Sequence, residues 1–213
     1  MTQVQWMKRV IKPLAFVAAL LPLGLLVWHG LNGELSANPI SDITNETGTW
    51  TLRYVLITLS VTPLRRITGW TGLQRLRRMF GLFAFFYGSL HFMTYLSLDQ
   101  FFDFNSILLD IPKRPFITVG FTAFVLMIPL AATSMDRIAK WMGGKRWRRL
   151  HRLVYATAIA GVIHYLWLVK ADTRPPLLYA AILAVLLGYR IWIYVRPRFA
   201  QLRLTSRKEA EPA

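Results

Sequence analysis

Apolar residues in this chain fall into six runs, at about 11–29, 50–63, 79–98, 116–133, 150–169 and 176–194, with short polar segments between them. Most of these runs approach twenty residues. At 1.5 Å rise per residue a helix of that length covers roughly 30 Å, the thickness of a bilayer's hydrocarbon core. The pattern predicts an all-α fold, a polytopic membrane bundle of six transmembrane helices forming one domain over 1–213. The second run is the shortest, with Arg53 near its start and Pro63 near its end. The Arg53 side chain is long enough to snorkel to the interface. Segment 30–49 is acidic and polar and reads as a loop, whereas 99–115 alternates apolar and acidic residues as an interfacial segment does. No small-residue cleavage site precedes the loop at 32–38, so the run after Lys8, Arg9 and Lys12 reads as a retained first span. The stretch after Tyr194, ending EAEPA, is expected to be disordered at its tip.

Charge gives this pattern a direction. The formal net charge is +16. A nucleic-acid-binding chain would gather that charge on one face. Here the lysines and arginines cluster between apolar runs, at 8–12, 65–78, 137–149 and 196–208. The opposite side holds only Arg53, Lys113, Arg114, Lys170 and Arg174 among the basic residues, together with Glu34, Asp42, Glu46, Asp99, Asp103, Asp110 and Asp172. By the positive-inside rule both termini face the cytoplasm. The chain has no cysteine, which excludes disulfides, thiolate metal sites, iron–sulfur clusters and covalent c-type haem. Trp28, Trp50, Trp141, Trp147, Trp167 and Trp192 lie at run ends and read as an interfacial belt.

Ionisable side chains inside a membrane are costly and mark function by default. Three of the four histidines, His91, His151 and His164, lie in the third and fifth runs, and His29 ends the first. Counted from the basic ends of their runs, His91 and His164 come to a matched depth of roughly 18–20 Å. Two imidazoles at one depth on neighbouring helices are what a six-coordinate b-type haem requires of a protein. The competing reading is a pair of polar side chains bonded across helices, with Ser89, Tyr95 and Tyr165 nearby. His151 lies about 20 Å below His164 and, on a continuous helix, about 140° round from it. Arg77 and Arg78 occupy the positions where an opposite histidine would stand. His151 therefore reads either as the ligand of a second haem, or as an interfacial residue contacting a flavin or a propionate. Arg77–Arg78 and Arg148–Arg149 read as topology determinants, or as partners for haem propionates or a flavin phosphate. His29 faces headgroups, and Met93, Met127 and Met135 read as packing.

Several stretches together carry a resemblance: RRMFGLFAFFYGSLHFMTY at 77–95, Arg114-Pro115-Phe116 through Gly120, PLAATS at 129–134, and LHRLVY followed by HYLW within 147–167. They resemble the ferric-reductase-like transmembrane group, which includes NADPH oxidases and metalloreductases. Within that group they resemble the haem-binding membrane subunits of bacterial periplasmic methionine sulfoxide reductase systems. The resemblance implies a six-helix protein of the bacterial inner membrane carrying b-type haem, with FMN as a further cofactor. It implies an electron-transfer subunit rather than a catalytic one. Electrons would pass from the quinone pool or a cytosolic flavin reductase to a periplasmic molybdopterin enzyme, MsrP. The group's histidines map onto His91, His151 and His164, but its fuller pattern has two histidines on the third span where this chain has one. A self-contained metalloreductase or oxidase is the alternative, and the expectation that no nucleotide-binding domain follows the sixth span speaks against it.

Overall fold

The computed structural model describes the backbone of residues 3–209 and the side chains of residues 4–196, and every regular element among them is helical. A first turn α1 (Gln3–Trp6) runs through a π-helical turn (Met7–Ile11) into α2 (Lys12–Leu31). The long helices α3 (Pro39–Thr68) and α4 (Gln74–Thr94) follow, and α4 closes in a second π-helical turn, Tyr95–Asp99. Then come α5 (Phe104–Lys113), α6 (Pro115–Ala132), the short α7 (Asp136–Met142) and α8 (Gly144–Leu150), α9 (Leu153–Leu168) and α10 (Arg174–Glu209). Helices α3, α4, α6 and α9 form the centre, with α2 laid against α3 and α4, and α10 against α3 and α9.

Four of these segments are long and apolar enough to cross a membrane: Val4–Leu31, Thr71–Asp99, Pro115–Ala132 and Arg174–Arg196. They expose large apolar side chains such as Leu14, Val17, Leu25, Val125 and Val185, as a bundle solvated by lipid does. The central α3 is less apolar because its environment is protein. It buries Leu52, Tyr54, Val55, Leu56, Leu59 and Val61, along with Thr47 and Thr58. Gly81, Ala84 and Gly88 lie along one face of α4 and let the helices approach closely. A Cβ on Gly88 would lie 3.4 Å from the Thr51 methyl of α3, the small-residue contact expected between membrane helices.

Several expected boundaries move. The second helix begins at Pro39, not near 50. The Asn38 side chain accepts from the Ser41 amide at 3.1 Å and Pro39 supplies a ready-made first turn, so much of the polar segment read as a loop is helix. Pro63 does not end α3. The helix runs on to Thr68 and stops at Gly69, in the left-handed conformation with φ 71°. Arg65, Arg66, Arg75, Arg77 and Arg78 consequently sit on helix ends rather than in a loop. The segment between the fourth and fifth runs is two short helices, and α10 continues past Tyr194 to Glu209. The tip beyond it lies outside the described residues.

Two prolines within helices are met by side chains from other helices. In α2, Pro22 disturbs the ladder, and the Leu23 amide donates to the Tyr87 hydroxyl at 3.1 Å. That hydroxyl in turn donates to the Ala19 carbonyl at 2.9 Å, which also accepts from the Tyr54 hydroxyl at 3.1 Å. A tyrosine inserted at a break in the ladder satisfies both freed groups. Tyr87→Phe leaves the Leu23 amide without its hydroxyl partner and removes one donor from Ala19, in a core where Tyr87 is 1% exposed. The expected loss is about 1–3 kcal/mol of stability, read by thermal unfolding in micelles. In α3, Pro63 has no N–H to give the Leu59 carbonyl. Arg190 of α10 supplies the donor, with a second bond from its guanidinium to its own Leu186 carbonyl.

Candidate functional site

The histidines at 91 and 164 meet. Their ring centroids lie 6.0 Å apart with the planes at 73°, one ring on α4 and the other on α9. Each is held in the same way by a third or fourth helix. His91 Nδ1 donates to the Thr44 carbonyl of α3 at 2.9 Å, and His164 Nδ1 donates to the Phe116 carbonyl of α6 at 2.7 Å. A carbonyl only accepts, so the proton of each neutral ring resides on Nδ1 and Nε2 keeps its lone pair. This is the orientation that metal-ligating histidines receive from their outer-shell partners.

A glycine sits four residues beyond each accepting carbonyl, one turn along the same helix. A Cβ on Gly48 would lie 2.9 Å from His91 Cε1 and 3.0 Å from its Nδ1. A Cβ on Gly120 would lie 2.6 Å from His164 Nδ1. Carbon atoms settle at about 3.5–4.0 Å, so only glycine admits the imidazoles against these backbones. Thr44 with Gly48 and Phe116 with Gly120 thus form two copies of one cradle. Sequence reasoning found the histidines and missed the cradle; the available signal was a glycine on a neighbouring helix at matched depth.

The pair borders a largely apolar cavity of about 150 Å³, lined also by Leu52, Gly88, Phe92, Phe121, Phe124 and Tyr165. Among the described residues no three His, Asp or Glu side chains converge as a metal site. Two imidazoles alone therefore face the cavity, and any metal between them takes its other donors from a ligand. Two metal–nitrogen bonds of roughly 2 Å each, with half a ring's width added at either end, bring the centroids about 6 Å apart. The observed separation and the two Nε2 lone pairs left free by the Nδ1 bonds suit two imidazole ligands of one metal.

A second cavity of about 340 Å³ lies along the same helices, with Val55, Met127 and Thr157 lining both. Its walls include Arg77, Arg78, Ser134, Trp147 and His151. The chain from His151 to His164, between which the sequence places an offset of about 140°, is not one unbroken helix. The α-helical run stops at Leu150 and restarts at Leu153, leaving His151 in the turn with φ −67° and ψ −3°. Its Nε2 is 3.1 Å from the Thr133 hydroxyl, and its ring stacks on Trp147 with centroids 3.9 Å apart. Trp147 donates from Nε1 to the Thr133 carbonyl at 3.0 Å and walls this cavity. Arg78 is ion-paired with Asp136 of α7. Arg77 is half-buried and has no ion-pair partner among the described residues. Arg148 and Arg149 are exposed on α8. His29 lies 3.8 Å from Glu34 at the exposed end of α2. The structure thus separates the sequence candidates into a histidine pair in one cavity and His151 with the two arginines in the other.

Comparisons with known proteins follow this geometry. Residues 47–162, which include His91, His151 and the whole lining of the second cavity but stop short of His164, match the family described as ferric reductase like transmembrane component. A protein of Herminiimonas arsenicoxydans is 55% identical over 86% of this chain and 85% of its own length. One from Bordetella pertussis is 53% identical over 89% of this chain and 93% of its own. A third, from Xanthomonas euvesicatoria pv. vesicatoria, is 46% identical over 94% and 93%. Each carries the name protein-methionine-sulfoxide reductase heme-binding subunit MsrQ. With identity at this level across nearly the whole chain, and a family match over more than half of it, the chain belongs to the ferric-reductase-like transmembrane family and, within it, to the MsrQ group.

Proposed function

We propose that this protein is a membrane electron-transfer subunit that holds a b-type haem between His91 and His164. The observation that carries the reading is the paired cradle: two imidazoles with their centroids 6.0 Å apart, each fixed by Nδ1–H to a helix carbonyl. The relatives' printed names support it, since each is called a heme-binding subunit. When bound, the haem would supply one-electron chemistry at its iron, and ligation on both faces favours outer-sphere transfer over oxygen binding. The chain's own part is to orient the two Nε2 lone pairs and to line the cavity with Phe92, Phe121, Phe124 and Leu52, which keep water away.

All six long helices cross the membrane in this reading, with α3 and α9 as the two interior spans and both termini in the cytoplasm. The bundle is a single domain over 1–213, set in the bacterial inner membrane. The histidine pair then lies in the periplasmic half, suited to delivery toward a periplasmic molybdopterin reductase, MsrP. The second cavity lies on the cytoplasmic side, where electrons from the quinone pool or a cytosolic flavin reductase arrive. There Arg77 would meet the anionic edge of a second cofactor, with Arg78 beside it and His151 ready as ligand or contact. A second haem and FMN are the two candidates for that place.

The test is haem stoichiometry by pyridine haemochrome on purified wild type, His91→Ala, His164→Ala and His151→Ala. Wild type is expected to bind haem, and His91→Ala and His164→Ala each to lose the haem of the pair. His151→Ala is expected to retain it. Unchanged haem in both of the first two variants overturns the ligand assignment.

A further inference from the structure

We propose that α5 is an interfacial helix whose uncovered apolar edge rests in the lipid surface, holding the roof of the histidine-pair cavity in place. The helix joins the ends of two membrane-length segments, Thr71–Asp99 and Pro115–Ala132, so both its ends are pinned at one boundary of the membrane. At 100° per residue, Phe104, Ile107, Leu108 and Ile111 fall within one arc of roughly 100°, and Asn105 and Ser106 lie outside it. The bundle covers only part of that arc. Ile107 is 6% exposed and Ile111 lines the cavity, yet Phe104 and Leu108 are 67% and 69% exposed.

The inner side of α5 is fastened by polar bonds. Asp110 accepts from the Tyr95 hydroxyl at 3.1 Å and pairs with Arg114 Nε at 2.8 Å. Tyr95, like Ile111, lines the cavity. At the N-terminus, Asp103 caps the helix through the amides of Asn105 and Ser106. Just before it, Phe101 and Phe102 adopt φ 47° and 60°, a left-handed conformation that bulky residues rarely take. Their turn leaves both rings exposed. An apolar edge left open by the bundle, an opposite face that is polar at Asn105, Ser106 and Lys113 and apolar only at the exposed Leu109, and spans at both ends describe a helix lying in a membrane interface. Partition of the exposed rings into lipid offsets the strain of the turn.

The chain has no cysteine, so single nitroxide labels can be placed without background. Phe104→Cys, Leu108→Cys, Asn105→Cys and Ser106→Cys, each labelled, would be reconstituted in phosphatidylcholine–phosphatidylglycerol vesicles. Power saturation with oxygen, which partitions into lipid, and with a water-soluble nickel chelate then reports depth. The oxygen-to-nickel ratio is expected to be severalfold higher at 104 and 108 than at 105 and 106. Equal ratios, or nickel reaching 104 and 108 as readily as 105, overturn the proposal and leave that face open to water. The inference rests on the two flanking spans and not on the histidines. Haem content measured on the same samples therefore reports on the cofactor reading separately.

Discussion

Gly120→Ala is expected to remove most of the haem held by the histidine pair, although alanine is ordinarily the better helix residue. In an unobstructed helix interior the exchange would stabilise by about 0.5–1 kcal/mol. Here the added methyl would stand 2.6 Å from His164 Nδ1 and 2.8 Å from its Cε1. The imidazole would have to leave the α6 backbone, giving up its 2.7 Å bond to the Phe116 carbonyl and with it the orientation that the bond fixes. Overpacking of this kind typically costs about 1–3 kcal/mol, and the loss falls on the orientation of a ligand. Gly48→Ala is expected to act in the same direction and less strongly, because its contacts begin at 2.9 Å. Haem content and thermal unfolding, read side by side, separate lost ligation from general unfolding. Full haem content in both variants would mean that the imidazoles do not need the cradle.

Arg190→Met carries the second large effect. The Leu59 carbonyl sits four residues before Pro63, which has no N–H to offer, and the Arg190 guanidinium of α10 is its donor. Leaving that carbonyl unpaired is expected to cost about 2 kcal/mol, measured by unfolding in micelles. The same substitution in a Pro63→Ala background restores an N–H within α3, so the cost of losing Arg190 should shrink to about 1 kcal/mol or less. The coupling between the two positions, obtained as a double-mutant cycle, isolates this bond from the contact of Arg190 with the Tyr155 ring. Strict additivity would show that the arginine stabilises by some other route.

What could be read from the chain alone, and what could not, follows from the range of the forces involved. Helix rise is uniform, so counting residues from the basic run ends was enough to anticipate that His91 and His164 stand at one depth. The wheel argument for His151 assumes an unbroken helix, and the two-residue turn at His151 and Arg152 is not legible in the apolar pattern. The start of α3 was readable from Asn38-Pro39, a helix-start signal, but the polar residues that follow masked it. Such a stretch resembles a loop only if the helix is assumed to face lipid. The Tyr87 hydroxyl in the break at Pro22 joins residues 64 positions apart, and no local pattern announces it. The glycine cradles likewise depend on which helices become neighbours. Gly48 and Gly120 look like ordinary helix glycines until an imidazole is laid against each.

Ligation of one haem iron by His91 and His164, as proposed, would carry its own spectroscopic signature. Its most direct test is the absorption spectrum of purified His164→Gly titrated with free imidazole. Without imidazole the variant is expected to lack the haem bands of the pair, and haemin added together with free imidazole, which enters the vacated space, to restore them in low-spin form. A low-spin spectrum that survives the loss of His164 without imidazole would contradict that ligation.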